Sequence, residues 1–271
     1  MPVIDMKGQK IWQRRTGRES LFHWVLWLVG IAIFAYSWQQ ISATTTWFFV
    51  WDAPRIANDI WTRATPPRWE YITQLGKPIW DTLNIATLGT IIALIMAVPV
   101  AFLAARNTTP SRFLIRPIAL LIIVSTRSIN SLIWALLLIA IIGPGIFAGV
   151  IAIAIRSIGF CAKLLYEAIE EIDTNQVEAI TATGASRWQV MAYGIVPQIL
   201  PAFAGIAVFR WDINIRESTV LGLVGAGGIG LQLSSSLNVL AWPQVALILL
   251  VILVAVIISE WVSAKVRGAI I

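Results

Sequence analysis

Three arginines, Arg127, Arg156 and Arg216, stand within or beside long apolar stretches of the sequence. An arginine at membrane depth costs about 2.5–3.5 kcal/mol on insertion scales unless it is paired or wet. Its forked donors match a tetrahedral oxyanion, so a ring of such groups would draw a small anion inward. Pairing in place is the other reading: Asp212 and Arg216 are four residues apart and share a helix face. Arg210 is expected to snorkel or to pair locally.

Other chemistries lack their residues. His23 is the only histidine and Cys161 the only cysteine, so neither a thiolate cluster nor a disulfide within the chain can form, and no carboxylate cluster lies inside an apolar run to serve as a metal site or acid–base pair. No Gly-x-x-x-x-Gly-Lys-Ser/Thr loop is present to cradle a triphosphate. Gly225, Gly227 and Gly230 formally spell Gly-x-Gly-x-x-Gly, but no βαβ unit surrounds them, and the region about 20 residues onward, near Leu250, offers no acid for a ribose. With Gly228 they are read as an outer gate segment or as close packing between helices.

The elements that must position these residues are membrane helices. Hydrophobic residues make up 58% of the 271 and charged residues 13%, against roughly 45–50% and 25% in soluble domains. Apolar runs appear near 21–41, 83–105, 115–142, 145–165, 196–215 and 243–262, each long enough for the roughly 20 residues of a helical span. Runs without two-residue alternation exclude barrel strands, so the expected class is an all-α membrane protein with about six spans. The third run is interrupted by Ser125, Thr126, Arg127, Ser128, Asn130 and Ser131, which must face protein or water.

Positive charge orients the spans. Lys7, Lys10, Arg14, Arg15 and Arg18 in the tail 1–20, the loop Arg106, Arg112 and Arg116, and Lys265 with Arg267 all fall on one side if there are six spans. Both termini are then cytoplasmic, and the net charge of +6 reflects topology rather than nucleic-acid binding. The expected order is the tail 1–20, a first span 21–41, an extracytoplasmic amphipathic connection 42–80, a core 81–265 and a C-terminus 266–271. Trp47, Trp51, Trp61 and Trp69 suit the outer headgroup layer.

One polar stretch breaks the positive-inside pattern. The loop 167–193 carries Glu167, Glu170, Glu171, Asp173 and Glu178 in the cytoplasmic half. Asp173 or Thr174 can cap a helix starting near Asn175, Val177 and Ile180 give it an apolar side, and Gly184 stops it. A short helix of this kind suits a groove on another protein; an ordinary interfacial turn fits the same pattern.

The loop resembles the EAA signature of ABC importer permeases: Glu178, Ala179, Gly184 and Pro197 stand at the matching spacing. Ile180 replaces the second Ala, and Gly194 and Val196 take the places of Ile and Leu. The resemblance to phosphonate and phosphite permeases extends through 156–173 and 211–230, while Asn130 stands where a Pro is usual. It implies a type I importer (MetI-like) fold in the inner membrane, with Asn175, Glu178, Ala179, Gly184, Ala185 and Pro197 coupling to an ATPase. It also implies a second copy of the chain, two cytoplasmic ATPase subunits that hold ATP and Mg, and an extracytoplasmic binding protein. No cofactor is expected in this chain. Importers of methionine or of another oxyanion are alternatives, and an ion-coupled secondary transporter is a rival that leaves the cytoplasmic helix without a purpose.

Overall fold

Hydrocarbon has no partner for a free backbone group, so each crossing segment must close its own hydrogen bonds as a helix. A computed structural model describes residues 3–6, 9–12 and 17–270. Among the described residues five helices are long and apolar enough to cross a membrane, and a sixth crossing results if one bent pair counts as a single span.

The chain divides into two units, residues 1–61 and 62–271. The first opens with an antiparallel strand pair, β1 (Val3–Met6) and β2 (Gln9–Trp12), in register Val3 with Trp12. Helix α1 (Gly17–Thr44) has no buried residue. A helix apolar on all sides suits lipid. Most of α2 (Trp47–Ala64) also belongs here; Trp47 donates from Nε1 to the Ser42 carbonyl at 3.2 Å, which fixes the tight turn between the two helices.

The second unit holds α3 (Ile72–Ala104), α4 (Ile115–Ser128), α5 (Ser131–Ile142), α6 (Ile146–Glu170), α7 (Thr174–Ala182) and α8 (Arg187–Val190). A π-helical turn (Met191–Ile195) then leads into α9 (Val196–Leu223), α10 (Gly228–Asn238) and α11 (Trp242–Ile270). Residues 72–80, expected within the connection, form the first turns of α3, because Lys77 and Asp81 lie on a helix that starts before the apolar run does.

Helix α3 is the spine of the unit, and α6 is its most extensive partner. Small residues make that approach possible: a Cβ on Gly89 would stand 2.7 Å from Ile153 Cγ2. Along α3 lie three apolar clusters, around Leu75 with Leu247 and Ile248, around Ile85 with Ile153 and Leu221, and around Ala97 and Ala101 with Leu165 and Ile199.

The interrupted third run is two helices, α4 and α5, meeting at 86°. Ile129 and Asn130 take extended backbone angles, and the Asn130 side chain accepts from the Leu132 N–H at 3.1 Å, capping α5. Asn130 thus starts a new helix at the break. On the other side, Gly159 of α6 lets the end of α4 approach, since a Cβ there would lie 2.5 Å from the Ile123 carbonyl.

Helices α9 and α10 form a tight hairpin. Gly225, Gly227 and Gly228 have φ of +100°, +85° and +70°, a region favourable only to glycine. A Cβ on Gly222 would meet the Gly230 Cα at 2.7 Å, and one on Gly230 would overlap the Thr219 carbonyl. Gly230→Val is therefore expected to destabilise the protein in detergent by about 1–3 kcal/mol through overpacking, read as a lower thermal unfolding midpoint. Gly76→Ala, which meets open space, should leave the midpoint unchanged or raise it.

Candidate functional site

Polar side chains inside the bundle must find partners there, and they form one connected layer. Asn214 of α9 donates to Thr90 of α3 at 2.7 Å and to Ser157 of α6 at 3.2 Å. Arg210, one turn earlier on α9 and only 2% exposed, donates from Nε to Ser157 Oγ at 2.8 Å and lies over the Phe160 ring at 5.0 Å. Its Nη2 reaches Glu217 Oε2 at 3.4 Å. The other oxygen of Glu217 is taken by Arg156 of α6 in a close ion pair, and Arg156 also donates to Ser131, the first residue of α5, at 3.4 Å. One carboxylate is thus shared by two guanidiniums, with Arg210, Asn214 and Glu217 spaced four and three apart on a single helix face.

Arg210 does not snorkel. It is buried, pairs with Glu217 two turns along its own helix, and is held from a distant helix by Ser157 and Phe160.

The remaining arginines go elsewhere. Arg216 pairs closely with Asp212, whose Oδ1 accepts from Ser259 of α11 at 2.8 Å, so this pair ties α9 to α11. Arg127 is exposed at the end of α4, at the break, and has no ion partner among the described residues. Within one chain, therefore, Arg127, Arg156 and Arg216 form no ring.

The acidic loop folds as a capped helix. Asp173 accepts the Asn175 N–H at 2.9 Å, α7 follows, and Gly184 with φ of +81° ends the turn beyond it. Asn175, Glu178, Ala179 and Gly184 are exposed, Ala185 is half-buried, and Pro197 is exposed at the start of α9. Beneath α7, Gly194 is buried; a Cβ there would come within 3.3 Å of Ile180 Cδ1 and 3.7 Å of Val177 Cα. The departure from Ile at this position thus lets α7 lie flat on the π-helical turn.

Gln198 locks the arrangement: its Oε1 accepts the Asp173 N–H at 2.9 Å and its Nε2 donates to the Asp173 carbonyl at 3.4 Å and the Gly194 carbonyl at 2.7 Å. Next to α7, Glu170 accepts from the Arg106 N–H at 2.8 Å and pairs with Arg116 at 3.5 Å, while Asn107 donates to the Ile169 carbonyl at 2.5 Å. Sequence reasoning missed Glu217 as the hub and Gln198 as the clamp. The four-and-three spacing of polar residues in an apolar run was a usable signal for the first.

The apolar helices with a buried charged layer between them are those of a membrane-embedded protein, and the family match makes it a transport component rather than an enzyme. Residues 89–268 match the profile of the binding-protein-dependent transport system inner membrane component family, and the chain belongs to that family. Its members are inner-membrane components working with a substrate-binding protein and an ATPase.

Among its relatives is the phosphite transport system permease protein PtxC of Stutzerimonas stutzeri, 37% identical over 260 residues, which span 94% of this chain and 90% of that one. The phosphate-import permease protein PhnE of Mycolicibacterium smegmatis is 40% identical over 205 residues, covering 76% of this chain and 38% of that one. The fold is similar to the inward-facing MetNI methionine ABC transporter, with a TM-score of 0.65 and 20% identity over 75% of this chain and 99% of that chain.

Removing one member of a buried ion pair strands the other. Glu217→Leu, which leaves the buried Arg210 without a carboxylate, should destabilise the purified protein by on the order of 3 kcal/mol in a denaturant or thermal titration, whereas Arg127→Ala, at an exposed side chain with no ion partner among the described residues, should cost under about 1 kcal/mol.

Proposed function

We propose that the chain is the permease of an ATP-driven importer carrying a small phosphorus oxyanion, phosphite or a phosphonate, by alternating access. One observation carries the reading: 37% identity to a phosphite permease over 94% of the chain. Phosphate is a second reading, favoured by the 40% identity to a phosphate-import permease.

In the proposed assembly two copies of the chain form the pathway, and two ATPase subunits in the cytoplasm hold ATP and Mg. A binding protein delivers the anion from outside. Both termini and α7 face the cytoplasm, supported by the arginines of the 106–116 loop next to α7. The exposed face of α7, with Asn175, Glu178 and Ala179, and the following Gly184 and Ala185, seats in a groove of the ATPase. Pro197 starts the helix that receives the motion, and Gln198 makes α7 and α9 move as one body.

Arg127, Arg156 and Arg216 contribute to the path as forked anion donors, brought into a common lumen by the second copy. Gly225, Gly227, Gly228 and Gly230 serve close packing of the outer hairpin, consistent with the contacts of Gly222 and Gly230. Lipid covers the rest of the outer face.

The test is uptake into proteoliposomes that contain the assembled complex, with ATP inside and the binding protein outside. Phosphite or methylphosphonate should enter only with ATP, phosphate would enter under the second reading, and methionine should not enter. Gly184→Trp should abolish that uptake while the chain still inserts; ATP-driven uptake at the wild-type rate by this variant would contradict docking through α7.

A further inference from the structure

The hub carboxylate sits where an anion would sit. Glu217 offers one oxygen to each of two guanidiniums, and the oxygen pairs of a tetrahedral phosphorus oxyanion present the same acceptors to the same forks. Charge in the cluster is unbalanced: Arg156 and Arg210 carry two positive charges against the single negative charge of Glu217. The nearest other acid on α9, Asp212, is already committed to Arg216 and Ser259. A singly charged anion would bring the cluster to neutrality, which a low-dielectric interior favours strongly.

The two arginines are not equivalent. Arg210 is fixed by Ser157, by the face of Phe160 and by Glu217, and its side chain is 2% exposed. Arg156 is 30% exposed, and its only other hydrogen bond among the described residues is the long one to Ser131. Glu217 is 16% exposed, so the Arg156–Glu217 contact lies at the open edge of the layer. Within a span, such an edge faces water or a second chain rather than lipid. If Arg156 swings away, Glu217 keeps Arg210 and is not stranded.

We infer that Glu217 is a built-in surrogate anion: an incoming oxyanion takes Arg156 from it, and its return to Arg156 expels the anion. Arg156 is the exchanging partner, Arg210 holds Glu217 in readiness, and the competition keeps the site weak enough to release its cargo. This inference rests on the chain being a permease for a small oxyanion.

The test uses the whole complex in nanodiscs and measures binding of phosphite, methylphosphonate and sulfate by calorimetry. Glu217→Gln removes the competitor and should tighten phosphite binding on the order of tenfold while slowing ATP-driven uptake. The double variant Glu217→Gln with Arg156→Gln should bind as weakly as the wild type. Binding no tighter in an assembled Glu217→Gln complex, or tightening that persists in the double variant, overturns the exchange.

If Glu217→Gln does not assemble, Glu217→Asp keeps the charge but draws it back from Arg156. It should tighten binding by a smaller factor, and unchanged affinity would again overturn the exchange. Tighter sulfate binding by Glu217→Gln, in a system whose wild type imports no phosphorus compound, would refute the substrate reading alone and support the exchange.

Discussion

A carboxylate shared between two guanidiniums in the middle of an apolar bundle constrains everything around it. Neither Arg210 nor Glu217 can be left alone at that depth without a penalty of several kcal/mol, so α6 and α9 have little freedom to slide past one another. Ser157, Asn214 and Thr90 extend the same layer to α3, and apolar clusters around Ile153 and Leu165 lie along α6 on either side of it. The apolar clusters would tolerate several registers; the polar layer accepts one.

Helix α9 connects the three parts of the molecule that matter for transport. At its first turn Gln198 grips both backbone groups of Asp173 and so holds α7. In its middle it carries Arg210, Asn214 and Glu217, and at its far end Gly222 sits against Gly230 in the hairpin with α10. A displacement of α7 in the proposed cycle therefore has a continuous helical path to the charged hub. At the hub, the more exposed contact, Arg156 with Glu217, is the one open enough to respond.

Much of this was legible in the sequence, for physical reasons that are local. Lengths of apolar run gave the crossings, and the Ser125–Ser131 polar stretch gave the break, because a polar group in hydrocarbon has few options. Asp173 and Gly184 marked the limits of α7, since caps are single-residue signals.

What the sequence hid depends on contacts across the fold. Arg210 reads as a residue that should reach for the interface, yet Ser157 lies 53 positions away and Phe160 comes from the same distant helix. Gln198 looks like one more residue of a span until Asp173 folds back upon it, and Gly194 looks like a lapse from a motif until Ile180 and Val177 pack over it. The start of α3 at Ile72 was masked by Lys77 and Asp81, whose charges interrupt the apolar run without ending the helix.

The most direct measurement is a cryo-electron microscopy map of the complete complex captured with phosphite during ATP turnover. The account predicts α7 seated in a groove of the ATPase, and phosphite density at the Arg156 guanidinium with Glu217 still bound to Arg210. Phosphite density away from Arg156 with the Arg156–Glu217 pair intact, or α7 touching no ATPase in the assembled complex, would contradict it.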